Sequence, residues 1–183
     1  MKHVSRGVRI LASATLSAAV VSGVAAVPLA APAAAATYAP ALSAFDSRLL
    51  TDINHARASY GMRALVAVTG TTDVAHSWSC HMARYLSLTH NPRLGNLLES
   101  HGSVLWTTYA ENIAVATSTT SADTVFRMYM NSPMHRANIL NRSNRYVGLW
   151  TKVGGSRRWN TIDFVGSTAS SYTYSYGASR VGC

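Results

Sequence analysis

The sequence has few charged residues, and acidic residues are the scarcest. Only 13% of its 183 residues are charged, with 16 Lys and Arg against 7 Asp and Glu, whereas about 25% is usual for a soluble protein. Together with 48% hydrophobic residues, this composition excludes a highly charged disordered chain, an acidic tail protein and a coiled coil. The length favours one domain, and the lack of a repeat at any fixed period excludes solenoids and propellers.

Standard catalytic signatures and cysteines are also scarce. The sequence contains no HExxH helix, Walker loop, GxSxG elbow, CxxC pair or dinucleotide-binding glycine fingerprint, so no short motif identifies a reaction. Its two cysteines are Cys80 and Cys183. In an exported protein a lone pair favours one disulfide that ties the C-terminus to the body, and two unpaired thiols are the alternative.

A long segment near the N-terminus carries no charge. Three basic residues in the first nine positions precede residues 10–36, which are uncharged and end in four alanines. This pattern is typical of a secretory signal peptide. We therefore predict that residues 1–36 are removed after Ala36 and that the protein is extracellular. A membrane anchor is the alternative, but the Ala- and Ser-rich composition and two prolines disfavour it.

After a linker over residues 37–43, hydrophobic spacing predicts helices. Ser43, with an acid three residues later, is a plausible capping box at the start of the first helix, and Gly61 ends that helix. The second helix is expected to begin near Thr72 and to end before His90.

The second half of the chain predicts a third helix and a strand pair. A loop-rich stretch leads to this helix, which begins at Ser121 and ends before Pro133. Residues 146–153 and 158–167 read as strands around a Gly-Gly-Ser turn. Residues 169–183 are rich in Ser, Tyr and Gly and are expected to be a last strand or a polar tail. Helices followed by a hairpin predict an α+β domain with a small antiparallel sheet.

Three polar residues lie at the ends of predicted elements and are candidates for a cleft. They are His90, Glu111 and His135. Two neutral imidazoles can bind zinc, and a carboxylate can add a ligand or orient a ring. Because their spacings match no compact zinc motif, separate polar loop residues are the alternative. His55 and His76 fall on outward helix positions and are expected in solvent.

Five motifs in order resemble a known family, the CAP superfamily. This superfamily contains cysteine-rich secretory proteins, antigen 5 and plant pathogenesis-related proteins, and its domain is also called SCP. The resemblance covers residues 44–168. It is greatest to the bacterial secreted branch, which lacks the many disulfides of the animal and plant proteins. The motifs are Asn54-x-x-Arg57-x-x-x-Gly61-x-x-x-Leu65, Ala75-x-x-Trp78-x-x-x-Met82-Ala83 with His90-Asn91-Pro92, Glu111-Asn112-Ile113-Ala114, Asn131-Ser132-Pro133-Met134-His135-Arg136-Ala137-Asn138-Ile139, and Tyr146-Val147-Gly148 with Trp159-x-Thr161-x-x-Phe164.

The resemblance implies a three-layer α-β-α sandwich with a central cleft. Fully equipped members line this cleft with two His and two acidic residues, and His90, Glu111 and His135 match three of them. The second acid falls at Ser132, so the set is incomplete. By this resemblance His90 and His135 would bind zinc or another divalent metal, and the missing carboxylate would weaken that binding.

Two function classes follow from the residues and the resemblance. The incomplete set favours a secreted, non-catalytic binding module whose cleft takes a divalent metal, a peptide or a small apolar ligand. The alternative is a zinc-assisted, peptidase-like extracellular hydrolase that uses His90, Glu111 and His135. The basic charge suits an anionic cell-wall polymer or a lipid surface, or is simply a soluble positive surface. Nucleic acid is not expected as a partner. The protein is expected to be a monomer.

Overall fold

The computed structural model describes residues 40–101 and 105–168. The predicted signal peptide and the tail over residues 169–183 lie outside these ranges and stay predictions. The described residues form the following helices and strands: α1 Ala44–Ser59, β1 Val66–Ala67, α2 Thr69–Tyr85, α3 Leu94–His101, β2 Thr108–Thr117, α4 Ala122–Asn131, α5 Pro133–Ile139, β3 Asn144–Gly154 and β4 Arg157–Gly166.

Serine caps begin two of the predicted helices. Ser43 precedes α1 in an extended conformation, and its hydroxyl oxygen accepts a hydrogen bond from the Asp46 amide at 3.0 Å. Ser121 caps α4 in the same way, with the Thr124 amide as donor at 3.2 Å. Each hydroxyl satisfies an amide that has no partner within its helix. The predicted starts of these two helices are therefore confirmed.

The four strands form one sheet in the order β1-β3-β4-β2. Strands β3 and β4 are an antiparallel hairpin whose turn contains Gly155 at a φ of 59°, a conformation that glycine adopts without steric cost. Strand β2 pairs antiparallel with β4, and the two-residue β1 pairs parallel with β3. Within residues 40–101 and 105–168, β2 pairs with β4 alone and is therefore an edge strand of the described sheet.

Helices cover both faces of the sheet, which confirms the three-layer α-β-α sandwich. Helices α1, α4 and α5 pack on one face, and α2 and α3 pack on the other. The first face buries this core: Leu49, Ile53, Val125, Tyr129, Ile139, Val147, Leu149, Ile162 and Phe164. The second face buries two smaller clusters: Val68, Val74, Leu94, Leu98, Tyr146 and Val165, and then Met82, Ile113 and Trp159.

Three elements lie where the sequence predicted loops or helix ends. The loop-rich stretch contains α3 and β2, so that prediction is wrong. Helix α5 begins at Pro133, because proline fits the first helical position, where no intrahelical donor is needed. Helix α2 begins at Thr69, three residues before its predicted start. No helix in the described ranges is long and apolar enough to cross a membrane.

A buried arginine holds the chain at the C-terminal end of α5. Arg57 of α1 is fully buried and donates to the carbonyl oxygens of Ile139 at 2.7 Å, Asn141 at 3.0 Å and Asn144 at 3.1 Å. These carbonyls lie at the C-terminal end of α5 and the start of β3, where helix carbonyls lack intrahelical donors. Arg57 thus fixes the helix that carries His135.

Candidate functional site

The loop after α2 places His90 beside β2. Leu86 ends α2 in a left-handed conformation with a φ of 52°, and its amide donates to the Met82 carbonyl. The chain then turns back toward the sheet. There Nδ1 of His90 lies 2.7 Å from Oε1 of Glu111, and the Asn91 amide donates to the same oxygen at 3.0 Å. The structure therefore brings His90 and Glu111 together.

Glu111 is the buried member of this pair. Its side chain is 4% exposed, whereas that of His90 is 64% exposed. Burial raises the pKa of the Glu111 carboxyl, and the bonds from the Asn91 amide and His90 act in the opposite direction. The carboxyl therefore orients the His90 ring and leaves that ring open to solvent.

His135 lies on α5, on the other side of the β2 edge. Its ring packs edge-on against Tyr129, with centroids 5.2 Å apart, and its carbonyl accepts a hydrogen bond from the Asn112 side chain at 3.0 Å. Burial lowers the pKa of His135, and His90 lowers it further. Its neutral form is therefore favoured, and His90 lies near enough to affect it.

Ser132 lies between α4 and α5 and lines a hollow beside His135. This hollow of about 240 Å³ has mainly apolar walls, made by Leu88, Ile113, Ala114, Val115, Met128, Tyr129, Ser132 and His135. His90 and Glu111 each lie two residues along the chain from a wall residue. Of the four predicted cleft residues, Ser132 and His135 line this hollow, whereas His90 and Glu111 are not among its lining residues, and their place in one common cleft stays a prediction.

The side chains at this cleft do not fit a zinc site with three protein ligands. Among residues 40–101 and 105–168, no group of three or more His, Cys, Asp or Glu side chains is placed to hold a metal. One nitrogen of His90 is taken by Glu111, whereas catalytic zinc sites use three protein ligands and structural sites use four. Metal binding by His90 and His135 alone stays a prediction.

Sequence reasoning missed a second buried acid, Asp163 on β4. It lies directly opposite Glu111 across the β2–β4 ladder and shares the α2-facing side of β4 with Thr161, whose hydroxyl bonds Ser79 of α2 at 2.9 Å. Its carboxyl is fully buried, with no hydrogen-bond partner among the described residues. Burial, and then Glu111, raise its pKa well above the usual range. The sequence signal that could have found it is an acidic residue at a position of a predicted strand whose side chain faces the protein interior.

Two further predictions concern α2. His76 is 7% exposed, not solvated as predicted, because its ring packs edge-on against Trp150 with centroids 4.5 Å apart. Its Nε2 also lies 3.6 Å from Sγ of Cys80. Cys183 lies outside the described residues, so its pairing with Cys80 stays a prediction.

The family follows from comparison with known proteins. The family model described as CAP, the cysteine-rich secretory protein family, matches residues 50–164, which is more than half of the chain. The chain belongs to the CAP family. The predicted resemblance is thereby confirmed. No curated protein matches the chain significantly.

Solved CAP structures from other organisms share the fold. An extracellular protein containing an SCP domain from Bacillus anthracis has 26% identity and a TM-score of 0.55, covering 66% of this chain and 40% of that protein. A cysteine-rich secretory protein from Staphylococcus aureus has 21% identity and a TM-score of 0.53, covering 66% and 38%. NaASP2, crystallised with Zn²⁺, has 10% identity and a TM-score of 0.54, covering 75% and 90%. The chain therefore spans about two fifths of the length of the two bacterial proteins. The similarity to the Staphylococcus aureus protein and to NaASP2 is under 25% identity and concerns the fold alone.

Proposed function

We propose that this CAP protein is a secreted, non-catalytic binding module whose ligand lies in the cleft over β2. The observation that supports this most is the apolar lining of the hollow between Leu88 and Met128. Ligand sites are commonly concave and mostly apolar, with a few polar groups that fix orientation. The His90–Glu111 pair and His135 are the polar groups at this cleft.

The chemistry of the walls indicates the kind of ligand. Leu88, Met128 and the ring of Tyr129 suit an apolar body, such as an alkyl chain, an aromatic ring or the side chains of a peptide. The exposed ring of His90 offers a hydrogen bond to a polar end, and neutral His135 offers another. A divalent metal is the other ligand class that these two histidines suit, with lower affinity because Ser132 supplies no carboxylate.

A matched pair of methionine variants tests the apolar cleft. The apolar probe 1-anilinonaphthalene-8-sulfonate is titrated by fluorescence into the wild type, Met128→Lys and Met134→Lys. Met128 lines the hollow, whereas Met134 is 81% exposed and is not a wall residue. We expect weaker binding for Met128→Lys, because the lysine replaces a methionine that is 41% exposed and forms part of the apolar wall, and less than about twofold change for Met134→Lys. Equal affinities would contradict the proposal.

The zinc-assisted hydrolase is the second candidate, and the 2.7 Å contact between His90 and Glu111 favours it. In metal sites a carboxylate commonly orients a ligating ring in this way, and NaASP2 was crystallised with Zn²⁺. Calorimetric zinc titration of the wild type, His90→Ala and Ser132→Glu tests binding, and a fluorogenic peptide library tests hydrolysis. Zinc-dependent hydrolysis that disappears in Glu111→Gln would replace the binding module by the hydrolase.

We also propose that the basic surface binds an anionic cell-wall polymer or lipid surface. Arg63, Arg142 and Arg145 line one hollow of about 370 Å³, and clustered arginines attract anionic surfaces at low salt. Sedimentation with phosphatidylglycerol vesicles and with purified cell wall, at 50 and 500 mM salt, tests this proposal. Loss of binding at high salt supports it, and equal sedimentation with neutral vesicles contradicts it.

A further inference from the structure

We infer that the outer edge of β2, which pairs with no other strand among the described residues, is a docking site for an extended peptide, which adds a fifth strand beside Ile113 and Val115. This inference rests on the proposed function, because the edge forms the floor of the same cleft. It names one ligand class and one mode of binding for that cleft, namely strand addition.

The outward direction of the edge groups follows from two hydrogen bonds. In an antiparallel ladder, alternate residues of an edge strand direct their N–H and C=O groups away from the sheet. The Glu111 carbonyl accepts from the Asn138 side chain at 3.3 Å, and the Thr117 carbonyl accepts from the Thr120 amide at 3.0 Å. Both donors lie outside the β2–β4 ladder. Because the repeat is two residues, Ile113 and Val115 also present their N–H and C=O groups outward.

The hollow lies over this edge and not over one face. The side chain of Ile113 packs on the α2 side with Met82 and Trp159, whereas Ala114 belongs to the core on the α1 and α4 side. A hollow lined by both residues spans the edge between the two faces. Its walls come from both layers, since Leu88 follows α2 and Met128 belongs to α4.

A second hollow extends this one along β2. It has a volume of about 550 Å³, is lined by residues 115–119 with Ser156 and Arg157, and shares Val115 with the first. At about 3.3 Å per residue, residues 113–117 provide a track about 13 Å long. This length suits a peptide segment of about five residues.

The strand itself lacks the usual protection of a sheet edge. Edge strands are commonly guarded by lysine, proline or inward-pointing charges, and residues 112–117 contain no charged residue and no proline. The bonds at the Glu111 and Thr117 carbonyls limit pairing to the segment between them. This segment therefore lacks the usual edge guards, although Ile113 is only 6% exposed and Val115 is half-buried.

The occupant is an extended peptide with apolar side chains and an acidic end. Only a polypeptide matches a row of alternating N–H and C=O groups. Its side chains would alternate between the Leu88 wall and the wall of Met128 and Tyr129, which are both apolar. At the Thr117 end, Arg157 is exposed, and none of the ion pairs between described residues involves it. Arg157 therefore favours a carboxylate at that end.

Amide hydrogen exchange of the whole protein, read by NMR, tests the inference. The probe is the blocked peptide acetyl-Val-Thr-Leu-Thr-Val-Asp-Asp-amide. Without peptide, we expect the Ile113 and Val115 amides to exchange faster than the Ala114 amide, which lies in the ladder with β4. Saturating peptide should slow exchange at Ile113 and Val115 at least about tenfold and leave Ala114 unchanged.

Modified peptides and charge variants provide the matched controls. N-methylation of the peptide amides that face β2 should abolish binding, and N-methylation of the intervening amides should preserve it. Arg157→Gln should weaken binding at least about threefold, and Arg84→Gln, which removes an exposed charge of α2 that lines neither hollow, should not. Equal effects of the two methylation patterns would contradict strand addition.

Other occupants of the edge give distinct results that overturn the inference. Slow exchange at Ile113 and Val115 in a peptide-free monomer would mean that this chain covers its own edge. Slow exchange only in a dimer would mean that a second copy does so. If the peptide leaves exchange unchanged while the naphthalene probe still binds the cleft, the edge inference alone is wrong. If neither binds, the proposed function is wrong as well.

Discussion

Two acidic residues, Glu111 and Asp163, are buried side by side on neighbouring strands. Glu111 has a histidine ring and a backbone amide as partners, whereas the Asp163 carboxyl has no hydrogen-bond partner among the described residues. A buried carboxyl without partners is disfavoured in its charged form. The same residue type therefore acts differently at the two positions. Glu111 orients a ring, and Asp163 is held in its protonated form over a wider pH range.

We predict that Asp163→Asn changes the pH dependence of stability. Burial raises the pKa of Asp163 above its unfolded value of 3.8, so the stability that its protonated form contributes is present below that pH and is lost as pH rises. Asparagine does not ionise. The free energy of unfolding of the variant, relative to wild type, should therefore increase from pH 4 to pH 8, as measured by urea unfolding.

Asp123→Asn is the matched control for this measurement. Asp123 is exposed, and its pKa is lowered, first by its hydrogen bond from Arg48. Its contribution to stability is present at neutral pH and is lost as pH falls. Because that loss occurs below the unfolded value of 3.8, this variant should change little relative to wild type between pH 4 and pH 8, and a rise parallel to that of Asp163→Asn would contradict the assignment.

At the scale of elements, α2 lies directly on β3 at a glycine. A Cβ at Gly148 would lie 2.1 Å from the Thr71 backbone carbon and 2.4 Å from the Thr72 amide nitrogen. Backbone atoms this close cannot move aside in the way that the end of a flexible side chain can. Because α2 leads to the loop that carries His90, this close approach also helps to position the site.

We expect Gly148→Ala to destabilise the protein by at least about 3 kcal/mol, because helix and strand must separate to admit the methyl group. Urea unfolding followed by circular dichroism measures this change. Gly154→Ala is the control, since its Cβ would make an ordinary contact at 3.8 Å with Ala83. Similar losses of stability for the two variants would contradict the expectation that the close approach of α2 to β3 excludes a methyl group at Gly148.

Arg57 links α1 to the helix that carries His135. We predict that Arg57→Met destabilises the protein by about 3 kcal/mol, because it leaves buried carbonyl oxygens without donors. Arg142→Met removes hydrogen bonds that are exposed, to the Tyr60 and Gly61 carbonyls, and should cost less than about 0.5 kcal/mol. Thermal unfolding of both variants compares these losses, and an equal cost would contradict the bracing role of Arg57.

Local signals predicted some elements and not others. The start of α1 and the β3–β4 hairpin followed from a serine cap and a glycine turn, which act over a few residues. Strand β2 is stabilised by pairing with β4, about fifty residues later in the chain, so its own sequence gave little sign of it. In the site, the family motifs placed His90, Glu111 and His135. Asp163 was missed because its role depends on which strand lies beside it.

At the scale of the whole molecule, the predicted disulfide would join the tail to α2. If Cys80 and Cys183 pair, they close a loop of about 100 residues, and the chain-entropy model gives about 4–5 kcal/mol as an upper value. Thiol titration of the unreduced, urea-unfolded protein should then find no free thiol. Two reactive thiols would contradict the pairing, and a lower melting temperature after reduction would support it.

Ligand binding in the cleft over β2 is tested directly by chemical-shift mapping. The ¹⁵N-labelled protein is titrated with the naphthalene probe, and the shift of each backbone amide is recorded. We expect the largest shift changes at the backbone amides of residues that surround the hollow, namely Leu88, Ile113, Val115, Met128 and His135. Changes confined to residues outside this cleft, such as the arginine-lined hollow at Arg63 and Arg142, would contradict it.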